Sequence, residues 1–226
     1  WFNITDNTHG LILHDNSKTE LSGTRLWSDA ATVLFQHNQS SIELSNDSYA
    51  GFELAYTWDA GDLILQDSLV QVDGMAILKA DDVSILAESR LDWNRTISFE
   101  GTSLRLDNST LGSEVGSSQS DEAIFVIAGR TDITSSFVNI STVSFTSGFV
   151  AINDFDFGYT HLNLTVDGYL YLNTSTLDSS TVILDSENLK VRDSTLENFA
   201  ITADDIHIYQ GILESSSSNL QLTASK

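Results

Sequence analysis

The sequence predicts an all-β protein: a right-handed parallel β-helix, or solenoid, of about ten coils with three short strands in each coil. The first observation behind this prediction is a repeat. The stretch from Gly168 to Leu222 nearly aligns with itself in three lines, with a period of about 17 to 21 residues, which is typical of a solenoid. The second observation is that no apolar stripe at helical spacing competes with the repeat.

The third observation is the absence of proline from the 226 residues, where average usage predicts roughly eleven. A parallel solenoid pairs almost every backbone N–H with the coil above or below, and proline has no N–H to donate. Coil lengths vary and strict hexapeptide units are missing, which favours the right-handed form.

Each line of the repeat contains a leading alternating apolar pair, a polar corner, one apolar residue and a closing pair. Alternation of this kind is typical of strands with one buried face. In the three lines the leading pairs are Leu170/Leu172, Leu189/Val191 and Ile206/Ile208, the single apolar residues are Leu177, Leu196 and Ile212 or Leu213, and the closing pairs are Val182/Leu184, Phe199/Ile201 and Leu220/Leu222.

The same pattern continues toward the N-terminus and defines seven earlier coils. The first five contain Leu11/Leu13, Leu21 and Leu26; Val33/Phe35, Ile42/Leu44 and Phe52/Leu54; Leu63/Leu65, Leu69 and Met75/Ile77; Val83/Ile85, Leu91 and Ile97/Phe99; and Leu104/Leu106, Leu111 and Ile124/Val126. The next two contain Ile133, Val138/Ile140 and Val143/Phe145, and then Phe149/Ile152, Phe155 or Phe157, and Leu162/Leu164.

The pattern predicts a single domain over residues 1–226, long enough to bury a core. It is interrupted once, by the polar, Gly/Ser-rich sequence GSEVGSSQSDE at 112–122. We interpret this segment as a loop inserted at one corner.

Aromatic residues are concentrated after this loop, and two interpretations of them stay open. One is a core section with larger side chains, and the other is a platform on which sugar rings stack. The residues are Phe145, Phe149, Phe155, Phe157, Tyr159 and Tyr169.

Composition limits the range of functions. With 10 Lys and Arg against 32 Asp and Glu the net charge is −22, so long-range repulsion disfavours nucleic acid and anionic membranes as partners. Without cysteine there are no disulfides and no thiolate metal site. No apolar run approaches the length of a membrane span. The start at Trp1, without methionine or signal sequence, suggests a processed chain or a fragment.

Asparagine sequons are more frequent than chance. With 53 Ser and Thr among 226 residues, the 14 asparagines predict about three sequons, but eight occur. They favour a glycosylated extracellular chain, and the alternative is that solenoid turns are simply rich in Asn, Ser and Thr. The asparagines are Asn3, Asn38, Asn46, Asn94, Asn108, Asn139, Asn163 and Asn173.

Motifs for catalysis are scarce, and the chain is expected not to be an enzyme. Of the motifs of pectin-hydrolase-type enzymes only the pair D-D occurs, at Asp81-Asp82 and Asp204-Asp205. A lyase needs a basic residue to abstract a proton, and Lys190 and Arg192 are the only basic neighbours on one predicted strand. The five histidines have no metal-ligand spacing.

Acidic residues recur at the corner before the leading strand. Equivalent positions of a solenoid stack, so these carboxylates predict a ladder that calcium would bridge. The alternative is that Asp is favoured in turns and points into water. The expected ligands are Asp62, Asp82, Asp167, Asp185 and Asp205.

Two stretches resemble the repeats of secreted parallel β-helix proteins, of which the filamentous-haemagglutinin-like adhesins and autotransporter passengers are the nearest. They are GDLILQDSLVQVDGMAILKADDVSILAESRLDW and NLKVRDSTLENFAITADDIHIYQG. The resemblance implies a secreted or cell-surface stalk and names no ligand.

Neither end of the repeat carries an obvious cap, and an uncovered strand edge invites another strand. We therefore expect end-to-end self-association, or continuation in a longer chain, through Trp1, Phe2, Ile4, Leu220 and Leu222. The expected function is a structural or adhesive stalk or filament segment without a cofactor except calcium. The alternative is a carbohydrate-active enzyme or polysaccharide-binding module, which a groove with several carboxylates and an Arg or Lys would favour.

Overall fold

The structure is a computed structural model, and the chain folds as a parallel β-solenoid. It describes residues 2–4, 18–23, 25–28, 32–36, 41–52, 55–72, 76–93, 96–112, 122–138, 142–158, 161–178, 181–214 and 221–224. These residues form strands and tight turns, and none of them is helical. Accordingly, the described part of the chain offers no long apolar helix with which to span a membrane.

The described residues contain 23 strands. In chain order they are β1 (Phe2–Ile4), β2 (Lys18–Ser22), β3 (Arg25–Ser28), β4 (Thr32–Gln36), β5 (Ser41–Ser45), β6 (Ser48–Phe52), β7 (Ala55–Gln66), β8 (Ser68–Val72), β9 (Ala76–Leu86), β10 (Arg90–Trp93), β11 (Thr96–Asp107), β12 (Thr110–Leu111), β13 (Glu122–Thr134), β14 (Phe137–Val138), β15 (Thr142–Asn153), β16 (Asp156–Gly158), β17 (His161–Asn173), β18 (Thr176–Asp178), β19 (Thr181–Arg192), β20 (Thr195–Glu197), β21 (Phe199–Tyr209), β22 (Ile212–Glu214) and β23 (Gln221–Ala224).

The strands form two parallel sheets. One has 11 strands in the order β1-β3-β6-β8-β10-β12-β14-β16-β18-β20-β22, and the other has 12 in the order β2-β5-β7-β9-β11-β13-β15-β17-β19-β21-β23, with β4 paired beside β7. The alternation of long and short strands winds the chain from one sheet to the other. The predicted parallel β-helix is therefore confirmed. Its right-handed sense stays a prediction, in agreement with the general preference of parallel crossovers.

A regular coil contains one long strand and one short strand, so the prediction of three short strands was wrong. The long strand spans two faces because it bends at a register shift, as between Gly101 and Ser103 of β11. The preceding coil approaches closely at this bend: a Cβ on Gly129 would lie 2.8 Å from the Thr102 carbonyl oxygen. We call this bend the glycine corner, after its residues Gly101, Gly129, Gly148 and Gly168.

The number of regular turns is smaller than predicted. The eight long strands from β7 to β21 make seven successive pairings, and thus about seven regular turns instead of ten. Two of the predicted coils precede Leu63, in the N-terminal third, where the described strands β2, β4 and β5 are only five residues each.

The predicted inner columns are present. Leu63 lies beside Val83 and Val83 beside Leu104, while Leu170 lies beside Leu189, and all five are buried. Phe99, Phe125 and Phe145 form a second column on the other half of the long strands, with ring centroids 4.8 and 4.3 Å apart. Burial of such columns supplies the main stabilisation of the solenoid.

Some predicted inward residues face outward. Ile77, from the predicted pair Met75/Ile77, is only half-buried, and its neighbour Leu78 is buried instead. Ile124 and Val126 were expected in the core, but Val126 is 45 % exposed and the buried residues in the first half of β13 are Ala123, Phe125 and Ile127. The apolar run AIFVI offers both alternations, so the pattern alone does not choose between them.

The inserted segment coincides with a longer coil. Ile97 pairs with Ala123, 26 positions later, whereas Ala123 pairs with Val143, 20 positions later. The predicted loop at 112–122 itself lies outside the described residues except for Gly112 and Glu122.

Candidate functional site

The outer face of the C-terminal half carries aromatic and basic side chains on neighbouring coils. Strand alternation turns these residues outward from the second half of each long strand, and parallel register stacks them. Phe149 lies beside both Arg130 and Tyr169, and Tyr171 lies beside Lys190. We define this aromatic strip by the residues Arg130, Phe149, Tyr169, Tyr171, Lys190, His207 and Tyr209.

Contacts between rings and cations join neighbouring strands at both ends of the strip, β13 with β15 and β19 with both β17 and β21. The Arg130 guanidinium lies 4.6 Å from the Phe149 ring centroid. The Lys190 ammonium lies 5.4 Å from the Tyr171 ring and 5.7 Å from the Tyr209 ring. Cation–π contacts of this kind fix the orientation of rings that are otherwise free to rotate at the surface.

The rings nevertheless stay accessible. Tyr169 is 60 % exposed and Tyr209 is 51 % exposed, while Phe149 and Tyr171 are half-buried. Large exposed rings gathered on one face are unusual for a surface that only meets water. The strip therefore presents flat apolar surface together with hydroxyl and ammonium groups.

Arg130 remains a cation in this arrangement. Its Nε and Nη2 donate to the two carboxylate oxygens of Asp132 at 2.5 and 2.8 Å. The hydrogen bond and the negative charge of Asp132 raise the pKa of Arg130 above its ordinary value. A bidentate pair also fixes the plane of the guanidinium over Phe149.

Amide side chains border the strip. Asn153 lies beside Asn173 in the outward column at the end of the long strands, and Asn188 lies beside Tyr169. Each is half-buried and carries both donors and acceptors. The surface next to the rings is thus suited to a partner with hydroxyl groups.

A second candidate lies on the N-terminal half, where a groove opens over the short strands β6 and β8. Its lining includes the carboxylates of Asp47, Asp67 and Glu88 and the guanidinium groups of Arg25 and Arg90. Arg90 donates through Nε to Asp92 at 2.5 Å. This groove combines several carboxylates with arginine on one face.

The predicted calcium ladder is not formed. Asp62 and Asp82 lie side by side, but Asp185 lies beside Thr165 and Thr202 and Asp205 beside Asn188. Asp167 falls within the register shift between Val166 and Tyr169. In the part of the chain that the structure describes, no three His, Cys, Asp or Glu residues are grouped to hold a metal ion.

The adjacent pair still has an electrostatic effect. Partial burial, followed by the charges of Asp82 and Asp81, raises the pKa of Asp62 above its ordinary value of 3.8. The ladder failed because the glycine corner contains a variable number of residues, so acidic residues at similar sequence distances reach different columns.

The described sequon asparagines lie on the outside or at turns. Asn163 is exposed, as alternation in β17 predicted. Asn38, Asn94 and Asn139 lie outside the described residues, Asn3 lies in β1, Asn46 and Asn108 are exposed, and Asn173 is half-buried. Occupancy by glycans stays a prediction.

The predicted assembly residues fall at the ends of the described sheets. Phe2 and Ile4 pair with β3 from the first strand of the 11-stranded sheet. Leu222 pairs with Ile201 in the last strand of the 12-stranded sheet. Trp1 and Leu220 lie outside the described residues.

Sequence reasoning missed a column of buried serines just after the long strands. Each serine follows a residue in the left-handed backbone region, such as Asp67 or Asp193. The signal was available as a repeated x-Ser-x-apolar motif, as in QDSLV and RDSTL. We call this turn the serine corner, after Ser48, Ser68, Ser89, Ser109, Ser136, Ser175 and Ser194.

Hydroxyl groups join successive coils at the serine corner. The Ser175 N–H donates to Ser194 Oγ at 3.0 Å, and Ser194 Oγ donates to the Arg192 carbonyl oxygen at 2.7 Å. Ser68 N–H donates to Ser89 Oγ in the same way at 3.2 Å. The sequons of Asn46 and Asn173 end in two of these serines, so part of the sequon excess has a structural origin.

Comparison of the chain with models of protein families, with curated proteins and with solved structures found no match. The two parallel sheets confirm the expected resemblance to β-helix repeat proteins at the level of the fold.

Proposed function

We propose that this chain is an extracellular or cell-surface β-solenoid with a structural and adhesive role. It serves as a segment or subunit of a stalk or filament, carries N-linked glycans, and belongs with secreted β-helix proteins of the adhesin or autotransporter-passenger type. The negative charge and the glycans limit sideways association, because like charges repel and sugars cover the sides.

One observation carries this proposal: coils of the same plan follow one another through two parallel sheets. A solenoid of this type has sides made of side chains and ends made of backbone N–H and C=O groups. The described sheets end at β1 and β2 on one side and at β22 and β23 on the other. Joining such ends is a heterologous contact, which builds filaments unless it closes into a ring.

Sedimentation over a range of concentrations, with and without calcium, tests the proposal. We expect the chain to associate, and we expect Leu222→Lys to weaken association, because it places a charge on the terminal strand β23. Val126→Lys, an exposed position on the side of the solenoid, is the matched control. A stable monomer at high concentration with calcium present would contradict the proposal.

Glycosylation has its own measurement. The polypeptide has a mass of 24.8 kDa, and we expect intact-mass analysis of the secreted chain to give a larger value that falls on glycosidase treatment. The bare polypeptide mass would contradict this part of the proposal.

A carbohydrate-active enzyme is the second candidate, favoured by the groove over β6 and β8. Asp47 and Asp67 lie on successive coils, about 4.8 Å apart at the backbone, which is compatible with the carboxyl spacing of retaining glycosidases. Release of reducing sugars from polysaccharides, lost in Asp67→Asn and kept in Asp193→Asn at another coil's serine corner, would support it. No release by the parent chain would reject it.

A further inference from the structure

We propose that the aromatic strip binds a linear, uncharged polysaccharide along the outer face of the solenoid. The inference gives the adhesive part of the proposed function a ligand and rests on it. It concerns the C-terminal half of the described residues, separate from the groove over β6 and β8.

The exposed rings are the first reason for this ligand. The apolar C–H face of a sugar ring packs on a flat aromatic surface, and three such surfaces are offered by Tyr169 and Tyr171 on β17 and by Tyr209 on β21, two coils further along. Stacking on rings supplies apolar contact area at little cost in side-chain entropy, because tyrosine has only two rotatable side-chain bonds. The strip runs from β13 to β21, so it is about 19 Å long at about 4.8 Å for each coil.

Preorganisation is the second reason. Lys190 lies between the rings of Tyr171 and Tyr209, at 5.4 and 5.7 Å, and His207 stacks with Tyr209 at 6.4 Å between ring centroids. Rings that are already oriented lose less freedom when a ligand binds. The strip is therefore a prepared surface and differs from a set of isolated surface tyrosines.

Hydrogen-bonding groups provide the specificity that stacking alone lacks. The amides of Asn153 and Asn188 border the rings, and each offers two donors and one acceptor oxygen. The tyrosine hydroxyls add further donors and acceptors. Sugar hydroxyl groups match this mixture, whereas a purely apolar ligand would leave these groups without partners.

Charge decides between neutral and acidic polysaccharides. The net charge of −22 repels a polyanion at long range. Within the strip, Arg130 is paired with Asp132, and nearby Arg192 is paired with Asp193 at 3.2 Å. A neutral chain escapes the repulsion and still receives hydrogen bonds from Lys190, so we assign the strip to neutral glycans.

Affinity electrophoresis through gels that contain a soluble polysaccharide tests the inference. The probes are galactomannan, xyloglucan and, as the acidic comparison, polygalacturonate. We expect at least one neutral gel to retard the chain and polygalacturonate not to. We expect Tyr169→Ala and Tyr209→Ala each to weaken binding about five- to tenfold.

Ile183→Ala is the matched control. Ile183 is 43 % exposed on β19, the strand that carries Lys190, but it lies on the other half of that strand and should leave binding unchanged. Asn173→Gln removes a predicted glycan beside the strip, and we expect it to keep or increase binding. Thermal unfolding confirms that each variant is folded.

The outcomes separate this inference from the proposed function. Absence of retardation in both neutral gels, equal loss in Ile183→Ala, or stronger retardation by polygalacturonate would overturn the assignment of the strip. If the same preparations still associate end to end, the structural role stands without this ligand. If Tyr169→Ala binds less polysaccharide but the chain sediments as a monomer, the strip stands and the filament does not.

Discussion

The serine corner and the glycine corner both turn the chain within one coil, as Gly101 and Ser109 do on either side of Leu104, but they do so by opposite means. At the serine corner a buried hydroxyl accepts a backbone N–H from the preceding coil, as Ser194 does from Ser175. At the glycine corner a side chain is absent, and a backbone carbonyl of the preceding coil lies where the Cβ would be. The serine corner is thus fixed by an additional hydrogen bond between coils, and the glycine corner by the close approach of two backbones.

Both corners vary in length, but in different ways. The serine follows the last inward residue after three positions from Leu106 to Ser109, but after four from Ile85 to Ser89, where two residues in the left-handed backbone region precede it instead of one. At the glycine corner the register shifts differ, for example between Ile127 and Arg130 in β13 but between Ser147 and Phe149 in β15. A bulge accepts one residue more or less.

The largest expected effect on stability comes from the inner column of buried residues that lies between the two corners. Ile85→Asp places a charge in the inner column between them, where Ile85 is fully buried, and we expect a loss of about 4 kcal/mol or more in the free energy of unfolding. Urea titration measures the loss. Ser84→Asp, on the outward side of the same strand, should change stability little. Equal midpoints for parent and Ile85→Asp would show that the inner column is misplaced.

The next largest loss of stability is expected from a substitution at the glycine corner. A Cβ at residue 101 would collide with the Ala80 carbonyl oxygen, so Gly101→Val requires the backbone of two coils to move. We expect a loss of about 3 kcal/mol, measured by urea titration. Thr102→Val, at the next and exposed position, is the control. A loss no larger than that of the control would contradict the close approach.

The serine corner should respond more weakly. Ser194→Ala removes the acceptor of the Ser175 N–H and leaves a buried donor without a partner, which costs about 1–2 kcal/mol. Thr195→Ala, the neighbouring outward residue, should cost less. Equal losses in the two variants, measured by thermal unfolding, would show that the hydroxyl contributes nothing to the turn.

The smallest effect concerns Asp62, beside the glycine corner. Because its pKa is raised in the folded chain, the ionised carboxylate destabilises the fold once the pH exceeds the ordinary value of 3.8. We expect Asp62→Asn to stabilise the chain at pH 7 by at most about 0.5 kcal/mol, and to lose this advantage as the pH falls below that value. A stabilisation that persists at pH 3 would contradict the electrostatic cause.

The difference between the corners also explains what the sequence could and could not predict. The columns of Leu63 and Leu170 were predictable, because apolar alternation within one half-strand directly reports burial. The outward position of Phe149 was not, since Phe145 is buried four residues earlier and only the bulge between Ser147 and Phe149 changes the alternation. Counting along the chain could not cross a corner of variable length.

Prediction of the candidate site from the sequence was limited in the same way. Tyr169 and Phe149 were recognised as aromatic neighbours, with sugar stacking as one interpretation. Their association with Lys190 and Tyr209 depends on register between coils, which the sequence does not state. The calcium ladder failed for the same reason, because Asp62 and Asp185 follow different corners. The repeated x-Ser-x-apolar motif could have been recognised in the sequence, but the polar residues of these turns were interpreted as glycosylation sequons.

The contact of each coil with only its two neighbours has a consequence for how the chain folds. Pairing partners are 17 positions apart for Val182 and Phe199 and 26 apart for Ile97 and Ala123, so each new coil closes a short loop. Because the entropy of closure changes only slowly with loop length, it is similar for every added coil, and growth from any formed pair resembles the extension of a one-dimensional lattice. Lengthening such a rod adds folding steps of similar difficulty, whereas lengthening a β-sandwich adds contacts between ever more distant residues.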